Sequence, residues 1–194
     1  MNRSEFFHRS TQLACGVCAA LVLGKNSATA AEATSSPAAT PVDEALKRAK
    51  YENAFTNNWL TDLFDTIDAE VDPATKLKLM EGCGRGCFRR HKFKTDIAEA
   101  GKGDLEKLLA AYEKSFLIWR ETGTVHIAYG SGSNGCFCPA ARNRPARPND
   151  LHCECTRATH EAIFETALGR PFKIELAETV RRGGNRCHLV VHLS

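Results

Sequence analysis

Three signatures are missing from this chain of 194 residues, and each absence leaves one enzyme class without support. There is no Gly-rich phosphate loop, no His-Glu-x-x-His zinc-hydrolase motif and no Ser-His-Asp hydrolase signature. A marked charge imbalance is missing too. The formal net charge is +3, and the first thirty residues hold three of the basic residues and one acidic one, which leaves 23 against 22 for the rest. A nucleic-acid-binding domain carries a pronounced basic footprint, and this chain has none. Basic residues cluster only locally, at Arg85, Arg89, Arg90, Lys92 and Lys94 and again at Arg142, Arg144 and Arg147. Those runs read as solvated faces or as a place for an anionic ligand. The apolar run from Leu13 to Leu23 is too short to serve as a permanent membrane anchor.

What the chain has in quantity is sulfur. Of nine cysteines, Cys15 and Cys18 fall in the apolar run near the start and seven fall later. Six of those seven form close pairs: Cys83-x-x-x-Cys87, Cys136-Phe137-Cys138 and Cys153-Glu154-Cys155. Cys187 stands alone. Hydrophobic residues make up 43% of the chain and charged ones 25%, a composition that suits one soluble globular domain.

Residues 1–30 read as an export signal, with Arg3 and Arg9 before the apolar run and Ala28-Thr29-Ala30 as a small-x-small cleavage site. Asn2-Arg3-Ser4-Glu5-Phe6-Phe7 resembles a twin-arginine signal in which Ser4 replaces the second arginine. Such signals generally carry proteins folded before export, often around a cofactor. Residues 31–42 are Ala/Ser/Thr/Pro-rich and form a disordered tether, because they cannot bury enough apolar surface to fold. The domain then spans 43–194 and is expected in the periplasm or secreted, with no stable membrane anchor once the signal is cleaved.

Within the domain, apolar residues from Leu46 to Val71 recur at helical spacing and predict one or two amphipathic helices, with Asn57-Asn58 as a break and the aromatic face in the core. Asp72-Pro73 is a helix start, with Asp as N-cap and Pro at the first helical position. The helix it opens carries Cys83 and Cys87 one turn apart. Gly82, Gly84 and Gly86 would each cost roughly 1 kcal/mol inside a helix relative to Ala. Either the helix ends there or its backbone approaches another element closely. Another helix runs from Asp104 to Phe116, followed by strands at Leu117–Arg120 and Val125–Tyr129, a turn over 130–135 and a loop from Pro139 to Asp150.

If the segment from Cys136 to Cys138 is extended, its two sulfurs point to the same side. Thr156 is the expected N-cap of a helix closed by Gly169, with His160 on its inner face. Cys153 and Cys155 would then stand at that helix's N-terminus, where the dipole favours thiolate. A terminal β-hairpin follows, from Phe172 to Leu193. It places Cys187 on an apolar face as a buried thiol and His188 and His192 on a solvent face. The fold class is therefore α+β, with N-terminal helices packed on a small, mainly antiparallel sheet that ends in a helix and a β-hairpin.

The paired cysteines have two physical readings. Cys83, Cys87, Cys136, Cys138, Cys153 and Cys155 can converge as ligands for zinc or an iron–sulfur cluster, since thiolates select soft or borderline metals. Alternatively they form disulfides after export, linking different segments because a Cys-x-Cys pair closes poorly on itself. The first reading gives an exported domain that binds a metal ion or a small-molecule cofactor and is open to redox chemistry. The second gives a disulfide-stapled, non-enzymatic binding protein.

The tail from Phe164 to Leu176, then Gly183-Gly184-Asn185-Arg186-Cys187-His188-Leu189-Val190-Val191, resembles the ending of vinyl-reductase-type small-molecule-binding domains and of L-2-amino-thiazoline-4-carboxylic acid hydrolase-like proteins. Cys83-Gly84-Arg85-Gly86-Cys87 matches them more loosely. The resemblance implies an α+β fold with a pocket and a metal or hydrolytic site, so a hydrolase with Cys or His in the pocket is a third alternative. It names no catalytic residue.

Overall fold

Three of the five α-helix starts are written in the residues just before them. The computed structural model describes residues 40–130 and 135–194, so the expected signal, most of the tether and the centre of the 130–135 turn lie outside the described residues. Thr40 caps α1 (Pro41–Glu70) in a reciprocal capping box with Asp43. Asp72 caps α2 (Pro73–Arg90), accepting from the backbone N–H groups of Ala74 and Thr75 at 3.0 Å each. A short helix, α3 (Lys92–Ala100), follows without a side-chain cap. Asp104 caps α4 (Leu105–Glu113) through the Lys107 N–H. The last helix, α5 (Cys153–Leu168), ends on Gly169, whose φ of 71° is the left-handed conformation that glycine adopts without strain.

Four strands, β1 (Leu117–Glu121), β2 (Thr124–Tyr129), β3 (Ile174–Glu178) and β4 (Cys187–His192), form one antiparallel sheet in the order β1-β2-β4-β3. Period-two alternation sends Val125, Ile127, Leu189 and Val191 inward, each with no exposed surface. They meet Ile163, Phe164 and Ala167 of α5 and Leu108 and Tyr112 of α4 in one continuous core. Each large side chain buried there contributes on the order of 1.5–3 kcal/mol. The fold is α+β, as the residues predict, and no described helix is long and apolar enough to cross a membrane.

Three expectations need correcting. α1 runs unbroken through Asn57 and Asn58, and its aromatic face is not core: none of its residues is buried. α5 begins at Cys153, with His152 and not Thr156 at the N-cap, so the cysteine pair lies inside the first turn. His188 and His192 are half-buried. His188 Nε2 lies 2.9 Å from His126 Nδ1, beneath Trp119, which stacks on His126 at 4.8 Å.

Candidate functional site

Of the three glycines in α2, Gly84 is the one the packing requires: a Cβ on Gly82 would meet nothing within 4 Å, and one on Gly86 only the side chain of Arg90. The helix does not end there. It crosses α5 so closely that a Cβ on Gly84 would collide with the Cys155 carbonyl oxygen and stand 2.9 Å from Ala158 Cβ. The Thr159 hydroxyl donates to the Gly84 carbonyl at 3.0 Å and locks the crossing. Glycine is present because backbone must touch backbone. Cys83 and Cys87 flank that contact on α2, and Cys155 is part of it on α5.

A fourth cysteine comes from the loop. Cys138 precedes a pair of turns in which its carbonyl accepts from the Ala141 and Arg142 N–H groups. The loop is tied down twice. Arg181, buried, donates to the Ala141 carbonyl at 2.9 Å and pairs with buried Asp150. Arg144, also buried, donates to Asp65 at 3.0 Å and Asp68 at 2.6 Å, and Arg147 pairs with the same two carboxylates. The expected solvated face at Arg142, Arg144 and Arg147 therefore survives only at Arg142. At the loop's end, buried His152 sets Nε2 3.4 Å from the Cys138 sulfur and meets Phe64 edge-on at 5.1 Å.

These pieces gather four sulfurs about Cys155. Burial, first, and then the nearby thiols of Cys138, Cys87 and Cys83 push the Cys155 thiol up to about 12, while Lys94 opposes them. Lys94, from α3, donates its ammonium to the Cys87 sulfur at 2.9 Å. A positive charge thus lies against one sulfur of the group, where a metal site would require thiolate. Cys83 is exposed, and Cys87, Cys138 and Cys155 are half-buried.

The other three cysteines face elsewhere. Cys153 is buried, donates its S–H to Thr179 Oγ1 at 3.2 Å, and is pushed up to about 11 chiefly by burial. Its neighbour in space is Cys187, which in turn neighbours Cys136. Each Cys-x-Cys pair is split between the two sets, although Cys136 remains near Cys138. In α5 this follows from geometry, since residues two apart on a helix point about 200° from one another. Around Cys136 to Cys138 the chain has no strand structure, so the same-side expectation for an extended segment does not apply. Burial pushes both the Cys153 and the Cys155 thiols up, opposite in direction to the lowering expected from the helix N-terminus.

No disulfide joins any of the seven described cysteines. Among the described residues, no three His, Cys, Asp or Glu side chains are grouped so as to hold a metal ion. His160 is a core residue. Its Nδ1 lies 3.1 Å from the Tyr112 hydroxyl, its ring packs on Phe116 and Tyr129, and burial keeps it neutral, with its pKa lowered to about 3.

Two residues of the site carry almost no signal in the sequence. Lys94 is one member of a basic run there, and His152 is only the residue before Cys153. Comparison with protein-family models, with curated proteins and with solved structures found no match in any of the three.

Proposed function

We propose that this domain is an electron-carrying protein that holds an iron–sulfur cluster on Cys83, Cys87, Cys138 and Cys155. The observation that carries the reading is the gathering of four cysteines from three separate segments around the α2–α5 crossing. Thiols that raise one another's pKa cannot ionise together without a compensating cation, and a metal centre supplies it. A single zinc ion needs four sulfurs at about 2.3 Å from one point. Thiols that neighbour one another without being grouped on one point suit a cluster, in which separate irons take separate cysteines. When bound, such a cluster supplies one-electron transfer. The chain's own groups would tune it: Lys94 through its hydrogen bond to the Cys87 sulfur, His152 through its contact with Cys138, and the packing around Cys155 by excluding water. A twin-arginine-type leader fits this reading, because it suits a protein loaded with its cofactor before export.

The test is metal and sulfide analysis of protein purified without oxygen from its native compartment. Iron with a matching amount of acid-labile sulfide, and a visible absorption band bleached by dithionite, is the expected result. One zinc per chain without iron would move the site to a structural zinc centre. Metal-free protein with no titratable thiols would replace both with the disulfide-stapled alternative.

A further inference from the structure

The sheet has a second face. The alternation that sends Val125, Ile127, Leu189 and Val191 into the core turns Trp119, His126 and His188 to the opposite side. There His126 Nδ1 and His188 Nε2 stand 2.9 Å apart. Trp119 lies against both rings, its centroid 4.8 Å from His126 and 4.9 Å from His188, and so fixes their orientation. His126 is buried and His188 half-buried, so the pair is reached from the His188 side.

The other nitrogen of His126 is held from behind. Its Nε2 lies 3.2 Å from Thr124 Oγ1 and 3.5 Å from Glu121 Oε2. Glu121 is itself steadied by the Trp119 indole N–H, which donates to it at 3.3 Å. A carboxylate only accepts, so it favours the tautomer with the proton on Nε2 and turns the Nδ1 lone pair toward His188. Metal-binding histidines are oriented in this way, by a carboxylate on the nitrogen that does not bind. Moving the His188 proton from Nε2 to Nδ1 then leaves two lone pairs facing one space, with no proton lost.

We propose that His126 Nδ1 and His188 Nε2 together bind a divalent copper or nickel ion, with water completing its shell. The spacing selects the ion. Metal–nitrogen bonds of about 2.0–2.1 Å at right angles set two nitrogens about 2.9 Å apart, whereas a tetrahedral ion needs about 3.3 Å. Right-angled coordination belongs to copper(II) and nickel(II), and imidazole suits both. The charged side chains that bear on His188 are Glu178 and Glu121 against Arg186, and Arg186 already lies 3.8 Å from Glu178. That leaves Glu121 to offset part of the ion's charge. Two protein donors make an open site, since no third His, Cys, Asp or Glu is grouped with them among the described residues.

Nickel(II) titrated into the isotope-labelled full chain, followed by amide NMR, tests the proposal. Paramagnetic broadening is expected first at the amides of Trp119, His126 and His188. His188→Gln keeps a hydrogen-bond donor for His126 Nδ1 and should stay folded, while broadening at the pair is lost. Glu121→Gln, at an exposed side chain, should keep the site but weaken nickel by about 10–100-fold, the usual effect of removing the group behind a binding histidine. Broadening first at Cys83, Cys87, Cys138 or Cys155 would put the ion on the thiols and overturn the proposal. So would broadening at the pair that survives His188→Gln, or none there at all. An affinity unchanged in Glu121→Gln would overturn the part given to that carboxylate. The site shares no residue with the proposed cluster, so each outcome is independent of whether iron is found.

Discussion

The two sides of the first turn of α5 carry the same residue type in opposite circumstances. On one side Cys153 is buried, hydrogen-bonded to Thr179 and set beside Cys187 and Cys136. On the other Cys155 is half-buried, packed on Gly84 and surrounded by the thiols of α2 and of the loop, with Lys94 at hand. One set is finished by ordinary protein contacts. The other leaves four sulfurs with one ammonium and one imidazole between them. Spacing alone does not define a cysteine site: the helix turn that separates i from i+2 decides which sulfurs meet.

The largest effect on this contrast should come from Asp150. Both it and Arg181 are almost fully buried, and removing one partner of a buried ion pair costs about 3–5 kcal/mol. Asp150→Ala should lower the unfolding free energy, read from denaturation curves, by that amount. Because the pair anchors the loop that carries Cys138 and His152, it should also disorganise both thiol sets at once. A small stability change would mean that the loop is held by other means.

Acid exposes the sealed interior under α5 and not the thiols. His160 has its pKa lowered to about 3 from an ordinary 6.5, so the unfolded chain binds the proton more readily than the folded one. Its contribution to stability is intact above pH 6.5 and is lost as the pH falls toward 3, by at most about 1.4 kcal/mol per pH unit. His160→Gln should flatten that slope in denaturation curves measured at successive pH values. Parallel slopes in wild type and variant would assign the acid sensitivity elsewhere.

Gly84→Ala is a smaller but more selective perturbation. Its Cβ would collide with the Cys155 carbonyl, and overpacking of this kind costs about 1–3 kcal/mol. The helices should part on the Cys155 side alone. Iodoacetamide labelling of the metal-free protein should therefore speed up at Cys155 and stay unchanged at Cys153. Equal acceleration at both would show that the two sides are not independent.

Much of this architecture is legible in the residues because it is local. Asp72-Pro73, Asp104 and Gly169 mark helix boundaries through their own hydrogen bonds and φ angles, and alternating Val, Ile and Leu mark the strands. α3 is not legible: nine residues without a side-chain cap, following a basic run, carry too little periodicity. The place of α1 is hidden for another reason. A stripe of apolar residues reports that a face wants covering and is silent on what covers it. The division of the cysteines is least legible of all. It depends on the α2–α5 crossing, which Gly84 announces only as an otherwise costly glycine, and on a loop whose position is set by Arg144, Arg181 and acids distant in sequence.

The most direct measurement is iron bound per chain in six single variants purified without oxygen, above all Cys155→Ser against Cys153→Ser and Cys138→Ser against Cys136→Ser. Cys155→Ser and Cys138→Ser should lose the cluster while their partners two residues away retain it, with Cys83→Ser and Cys87→Ser behaving like the former. Loss of iron in Cys153→Ser or Cys136→Ser with retention in Cys155→Ser and Cys138→Ser would contradict the division of the thiols on which the account rests.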